Sequence, residues 1–528
     1  MEVPEPNLPS RSLWLTPQIL TLVNHTQPME FFVNCNASPL DPQTGPLDAS
    51  QVAHLYRRLG FSTDTATINA GVGQTANTLV DNLIGQAQAM APMTPPEWAT
   101  WNNASYPADD AAAGDLKRSQ IADWKLQYTR QMLSNNLRDR ISFFWSNHFV
   151  TQLQVYNCPA YLHGYTNCLQ RNALGNFKTF TSEIGLTDAM LYYLDGVYNT
   201  GNNPNENYAR ELYELFTLGE GQGYTEEDII ETAKAISGYV ERGEEGCSPV
   251  SFDATRFNTE NKTIFGQTGN WGYDDVIDIL FEQRGDRIAY YICRKLYEFF
   301  VHPDAVEGNA PNIIQGLADT FTANNFELAP VLSQLFKSQH FFDDDAVGVI
   351  IKSPFDLFLQ IFKETGFPTD DSLVNSAINA SRLLGQQLFD PVEVEGWQRN
   401  RTWINTNFMI GRWLTAEMVI DLFFQTDQEQ FRALAEAAVG PANTGTSNPR
   451  LVTEALVNKF LPKGLLTEQD LLNALDTFMV DTVPENYYGL DFIDGGLGYW
   501  MLNTSDAAPT QVYLLLQHLA RQPEFQLK

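Results

Sequence analysis

No stretch of the 528-residue sequence approaches the ~18 consecutive apolar residues that a membrane helix needs, which predicts a soluble chain with no integral membrane segment. Basic residues are scarce. Against 64 Asp and Glu stand 33 Lys and Arg, and the formal charge of −31 repels nucleic acid phosphates and anionic bilayers. This argues against DNA or RNA as partners; the acidity suits solubility, a saline environment or cation binding. Cysteine is also rare: Cys35, Cys158, Cys168, Cys247 and Cys293 do not make a disulfide scaffold in a chain of this size, and none forms a CxxC pair. Cys158 and Cys168 are near enough in sequence to pair, and two unpaired thiols are the alternative. There is no GxxxxGK[ST], HExxH, GxSxG or EF-hand loop, which removes the nucleotide-loop, zincin, nucleophile-elbow and calcium-loop readings. The opening MEVPEPNLPSRSLWLTPQILTLVN lacks a basic n-region and an unbroken apolar stretch, so no signal peptide is expected in it. Seven Asn-x-Ser/Thr sequons, at 24, 36, 103, 261, 379, 400 and 503, matter only if the chain is secreted by a eukaryote.

What is present is helical periodicity. With 43% hydrophobic and 12% aromatic residues the chain has ample material for a core. Segments 50–60, 116–150, 166–195, 205–219, 225–240, 284–301, 311–322 and 328–338 carry 3.6-residue patterns, as do 353–364, 372–386, 408–425, 428–438, 449–459, 467–478 and 510–521. Strand-like alternation is confined to short pieces, with 248–265 the best hairpin candidate. The predicted class is mainly α: a multi-helical globular body with a few short β-hairpins. Length alone suggests three or four domains. The loop 439–450 and the absence of low-complexity tethers or fixed-period repeats divide the chain otherwise. The expected parts are an N-terminal extension (1–49), a main helical domain (50–440) and a C-terminal helical unit packed on the same body (441–528).

Two segments carry polar residues where a helix should be apolar. In PNENYARELYELFTLGEGQGYTEEDIIETAKAISGYV (204–240) glycines end one helix and Thr225 with Asp228 caps the next. Glu206, Arg210 and Glu214 form an i,i+4 stripe that reads as surface. Glu211 instead points into the arc of Tyr208, Leu212, Leu215 and Leu218, and a carboxylate buried there must be paired, protonated or metal-bound. In LRDRISFFWSNHFV (137–150) His148 points to the middle of an apolar face. It is either a hydrogen-bonded core histidine or the partner of Glu211, in a pair that is structural, a general base or part of a metal shell. Asn205, Glu206 and Arg210 would form the rim of such a cluster. Trp397 and Trp403 either stack on sugar rings or anchor a loop. The acidic FFDDDAV run reads as a solvated turn.

Several segments together carry a likeness: VAHLYRRLGF (52–61), FFWSNHF (143–149), NALGNF (172–177), AMLYYLD (189–195), NENYARELYELFTLGEGQGYTEEDIIETAKAISGY (205–239), VEVEGWQRNRTWI (392–404) and LARQPEFQ (519–526). Their order and spacing resemble the domain-of-unknown-function family 1800. The resemblance implies a largely helical and exported protein, extracellular or at the cell surface, of a family often encoded beside a sulfatase-like companion. It brings no reaction and no catalytic residue. Where members often carry another histidine this chain has Ser146; where they have His-Asp it has Phe257-Asn258; and their Leu-Thr-Gly-Trp is here Ile236-Ser237-Gly238-Tyr239. If the family site is a histidine-rich metal centre, two ligands are missing. The expected role is therefore a surface, secreted or assembly component that pairs with itself or with the sulfatase-like companion. The alternative is an enzyme with a His148–Glu211 polar site acting on an extracellular polymer or small molecule. No cofactor is required; a divalent metal is the one cofactor the residues would suit.

Overall fold

A computed structural model describes residues 39–135, 137–241, 246–479 and 500–528. The expected N-terminal extension therefore lies outside the described residues up to position 38, as does Cys35. Among the described residues the chain forms twenty-one α-helices and two two-stranded antiparallel sheets, so the mainly α class holds. No described helix is long and apolar enough to cross a membrane.

The helices begin where the sequence supplies side-chain acceptors for orphaned N–H groups. Asp48 and Gln51 form a capping box on Ala49–Leu59, Thr225 and Asp228 one on Glu226–Ala235, and Ser353 and Asp356 one on Pro354–Thr365. Segment 116–150 divides into Asp110–Ser134 and Leu137–Ser146. The helix Ala76–Ala89, started by the Thr75 side chain, has no counterpart among the expected segments. The hairpin expected at 248–265 is not one hairpin. Val250–Phe252 pairs back onto Tyr239–Glu241, while Lys262–Ile264 pairs forward onto Gln267–Gly269. The forward turn is made by Phe265 and Gly266, both at positive φ, as a two-residue turn of matching twist requires.

The expected nearness of Cys158 and Cys168 is also corrected. Cys158 caps the helix Pro159–Asn172, which holds Cys168 ten residues further along, roughly 15 Å by helical rise and out of bonding reach. Cys158 is bonded to Cys247 instead, tying that helix to the chain after Tyr239–Glu241, and Cys168 is a buried free thiol.

Two features position the site. The 28-residue helix Tyr273–Phe300 packs along Ala310–Ala323 and brings Tyr291, Lys295, Glu298 and Phe299 to one end of the body. Beyond residue 500 the helix Ala508–Ala520 packs on Thr406–Thr426 and Glu429–Val439. The chain then returns to the middle of the sequence: Ile351 bridges Leu527, and Lys352 N–H donates to the Gln526 carbonyl at 2.8 Å.

Candidate functional site

The helix Leu137–Ser146 is buried along its whole length and ends in Phe143, Phe144 and Trp145, and it delivers Asn147 and His148 just past its end. His148 is 2% exposed, enclosed by Phe144, Trp145, Phe149, Phe177 and Phe216. Its Nε2 lies 3.0 Å from the Phe216 carbonyl. A carbonyl only accepts, so the proton sits on Nε2 and Nδ1 is a bare lone pair, buried and without a protein partner. Burial first, and the nearby Lys295 second, hold this imidazole well below its usual pKa, so it is neutral.

The acceptor exists because of an unusual helix end. After the short α-helix Asn207–Glu211 the chain widens into a π-helix over Leu212–Thr217, with the Thr217 hydroxyl back-bonded to the Leu212 carbonyl at 2.5 Å. Its last carbonyls need outside donors. Phe216 takes one from His148. Leu215 takes one from the Tyr291 hydroxyl at 2.9 Å and one from Lys295 Nζ at 3.4 Å, a cation at the negative end of the helix dipole.

The expected meeting of His148 with Glu211 is not formed. The imidazole spends its N–H on the helix terminus, and Glu211, half-buried one turn earlier, makes no hydrogen bond or ion pair with the described residues. Burial, then the neighbouring Glu214, with a further push from Glu395, raises its pKa to about 7; Arg210 opposes them. Asn205 shapes the helix start, its side chain accepting from Asn207 N–H at 2.9 Å. Arg210 is shared outside by Glu206 at 3.4 Å, Glu214 at 3.2 Å and Glu226 at 2.7 Å. Among the described residues no group of three or more His, Cys, Asp and Glu is placed to hold a metal ion. Cations and aromatic rings surround His148 instead, which is a poor shell for a divalent cation.

The side chain that organises the site is Asn147, next to the histidine. Its Oδ1 accepts from Trp397 N–H at 2.6 Å, and its Nδ2 donates to the Trp397 carbonyl at 3.3 Å. This two-point clamp holds the loop 393–403 against the helix end. Gly396 makes it fit: φ is +90°, and a Cβ there would meet Asn147 Oδ1 at 2.4 Å. Trp397 and Trp403 are each 6% exposed, and Trp397 stacks on Phe143.

Beneath the loop is a cleft lined by Asn147, Glu298, Phe299, Asp356, Arg399 and Lys528, closed on one side by the two tryptophans. Its inner volume is about 50 Å³, room for a few waters or one small polyatomic group. Asp356 is the floor. It accepts from Arg140 Nη1 at 2.6 Å, Lys528 Nζ at 2.7 Å and Ser353 N–H at 3.1 Å. Burial would raise this carboxyl; Arg140 and Lys528 overcome it and hold the group below the usual carboxylate range. The Arg140 guanidinium carbon lies over the Phe61 and Phe299 rings, 4.6 and 4.5 Å from their centroids. Arg58, Arg412 and Lys352 stand close enough to feel Asp356, all essentially unexposed. Burial lowers each of them: Arg58 to about 9, Arg412 to about 10 and Lys352 to about 7. On the loop, Arg399 is partly buried; its guanidinium lies 5.8 Å from the Phe144 and Phe299 centroids and makes no hydrogen bond or ion pair with the described residues.

None of Asn147, Arg140, Asp356, Arg399 or Lys528 was singled out by sequence. One signal was available: RDR set inside LRDRISFFW puts charge on a helix that is otherwise mostly apolar. Arg138 and Asp139 pair with each other there at 2.9 Å, so Arg140 is the charge left over.

Four of the segments that carried the family likeness lie at or beside this place: FFWSNHF supplies part of the wall, NENYARELYELF the π-helix that accepts from His148, VEVEGWQRNRTWI the loop, and LARQPEFQ leads into Lys528. The family model described as Protein of unknown function (DUF1800) matches residues 54–527. Neither a curated protein nor a solved structure matches the chain. With nearly the whole chain matched, the protein belongs to the DUF1800 family.

Proposed function

We propose that the protein is exported and that the cleft under residues 393–403 holds a small ligand, with proton-transfer groups on its rim. One observation carries the reading: a loop clamped by Asn147 covers a cavity that joins two tryptophan rings to Arg399, Glu298, Asp356 and Lys528. Apolar walls with a few convergent polar groups are how small-molecule sites are built. Lys295 stands beside it, its pKa brought down to about 7 by burial and by Arg399, a value suited to acid–base work near neutrality. Export is supported by the Cys158–Cys247 bond, since such bonds persist in oxidising compartments.

Tryptophan fluorescence of the full chain, titrated with sugars, organic acids and amino acids, tests the cleft. A saturable change should appear and should vanish in Asn147→Ala while the helical circular dichroism stays. A panel with no saturable response, or binding indifferent to Asn147, removes the reading. For export, peptide mapping of secreted protein without reductant should recover a linked Cys158–Cys247 pair, and two free thiols would count against it.

A second reading, self-assembly, is favoured by a separate surface. Ile410, Leu414, Met418 and Leu422 recur every four residues along Thr406–Thr426 and are 49, 60, 42 and 39% exposed. An i±4 ridge of this kind packs on another helix. Light scattering should show a dimer that Leu414→Glu dissolves; a monomer at all concentrations ends this reading.

A further inference from the structure

The described interior is electrically the opposite of the chain. The chain carries −31, yet the group behind the cleft gathers Arg57, Arg58, Arg140, Arg412, Lys352 and Lys528 around two carboxylates, Asp356 and Glu364. All eight are under a tenth exposed. One pair is self-contained: Arg57 Nε meets Glu364 at 2.7 Å. That leaves Arg58, Arg140, Arg412 and Lys528 around Asp356, while Lys352 lies between the two carboxylates, feels Glu364 more than Asp356, and is brought by burial to a pKa of about 7. A buried charge without a counter-charge is unfavourable by several kcal/mol, roughly, so such an excess needs compensation from somewhere.

The hydrogen-bond inventory points the same way. Among the residues that line the cleft and the cations behind it, a set that leaves out the His148 Nδ1 lone pair beyond Asn147, the buried polar atoms that lack a protein partner are Trp397 Nε1, Arg140 Nε and Nη2, Arg58 Nε, and Arg412 Nη1 and Nη2. Every one is a donor, and neither indole nor guanidinium can accept. A neutral ligand rich in hydroxyls would find leftover acceptors as well as donors. Here the leftover buried atoms of the lining and of the cations behind it are donors, while the lining carboxylates already accept from protein groups, Asp356 from Arg140 and Lys528 and Glu298 from Arg294. At the mouth Arg399 adds a guanidinium free of protein partners, and Lys528 Nζ lines the same wall 2.7 Å from Asp356. The inner space of about 50 Å³ suits one planar or tetrahedral anionic group rather than a whole sugar.

We propose that the inner end of this cleft is an oxyanion site, which receives the carboxylate, sulfate or phosphate group of a small ligand between Arg399, Lys528 and the Trp397 indole N–H. Arg140 is the buried charge behind it, with Asp356 holding Arg140 and Lys528 in place. The inference rests on the cleft being a ligand site and adds the ligand's charge. Guanidinium and indole N–H groups bind such oxygens with charge-assisted hydrogen bonds, and the ring walls keep competing water out.

The test is calorimetric and thermal titration of the full chain with sodium sulfate, sodium phosphate and sodium acetate at low millimolar concentration, with chloride matched for ionic strength. At least one oxyanion should bind saturably and raise Tm, and the arm that responds identifies the group. Arg399→Gln, whose parent guanidinium makes no hydrogen bond or ion pair with the described residues and only long contacts to the Phe144 and Phe299 rings, should weaken binding by about tenfold or more while the helical circular dichroism stays. Lys528→Met should do the same as an independent check. Equal stabilisation by chloride, or oxyanion binding unchanged in both variants, overturns the site. A neutral ligand that perturbs tryptophan fluorescence while all three anions fail also overturns it, yet leaves the cleft reading standing. Failure of neutral and anionic probes alike removes both.

Discussion

Two regions of the molecule use the same ionic chemistry in reverse. On the outside, Arg210 is one cation shared by Glu206, Glu214 and Glu226. Inside, Asp356 is one carboxylate that accepts from Arg140 and Lys528 and is ringed by further cations. Water makes the difference. Around Arg210 it screens all four charges, and the row decorates the first turns of a helix. Around Asp356 it is largely excluded, so each charge is held by geometry and any imbalance persists. The outer group follows the charge of the chain; the inner one runs against it.

The comparison breaks most visibly at Asp356. Asp356→Asn leaves Arg140 and Lys528 facing each other without a counter-charge, and should lower unfolding stability by about 3–5 kcal/mol, measured by denaturant titration. The parent carboxyl also has a depressed folded pKa. Its contribution is therefore present above the unfolded carboxylate range and is lost as pH falls through the lower folded value. The variant should lack that acid limb.

A middle-sized effect is expected at Lys352, lowered to about 7 by burial. Between the ordinary lysine range and pH 7 the unfolded chain takes up a proton that the folded chain refuses, so stability should rise as pH goes from 7 towards 10. Lys352→Met should flatten that slope and stabilise the protein at neutral pH by about 1–4 kcal/mol. If an oxyanion fills the cleft, the wild-type slope should flatten too, which sharpens the comparison.

Smaller again is Glu211→Gln. The carboxyl is raised to about 7, so the folded chain keeps a proton that the unfolded chain loses above the normal glutamate range; that stabilisation declines as pH rises through 7. The variant should melt slightly above wild type at pH 8 and level with it at pH 5, and the reverse order would contradict the burial reading. The smallest effect is Arg210→Ala, a Tm change below about 2 °C that shrinks with salt. A drop comparable with Asp356→Asn would erase the distinction between the two regions.

Much of the helical layout was legible because caps and apolar periodicity are local. Thr225 with Asp228 and Ser353 with Asp356 mark helix starts within four residues of chain. Arg210 was legible as surface for the same reason, since an i,i+4 stripe needs only its own helix. The site was less so. Periodicity correctly turned His148 inward, but the angle around a helix does not say which distant group waits there, and the π-helix carbonyl took the place assigned to Glu211. Asn147 and Gly396 stand 249 positions apart, and neither is unusual until the clamp between them is seen. The Cys158 partner failed likewise: closeness in sequence along a rigid helix is distance in space.

The sequence alone determined the helical class, the net negative charge and the kinship, because each is a property of composition or of neighbours in the chain. Only the tertiary structure decided that Asp356, Arg399 and Lys528 share one cleft with Arg140 behind it, and that the buried group there holds more Arg and Lys than Asp and Glu. Charge balance at a buried point is set by which segments converge and how completely they exclude water, and neither can be summed along a chain.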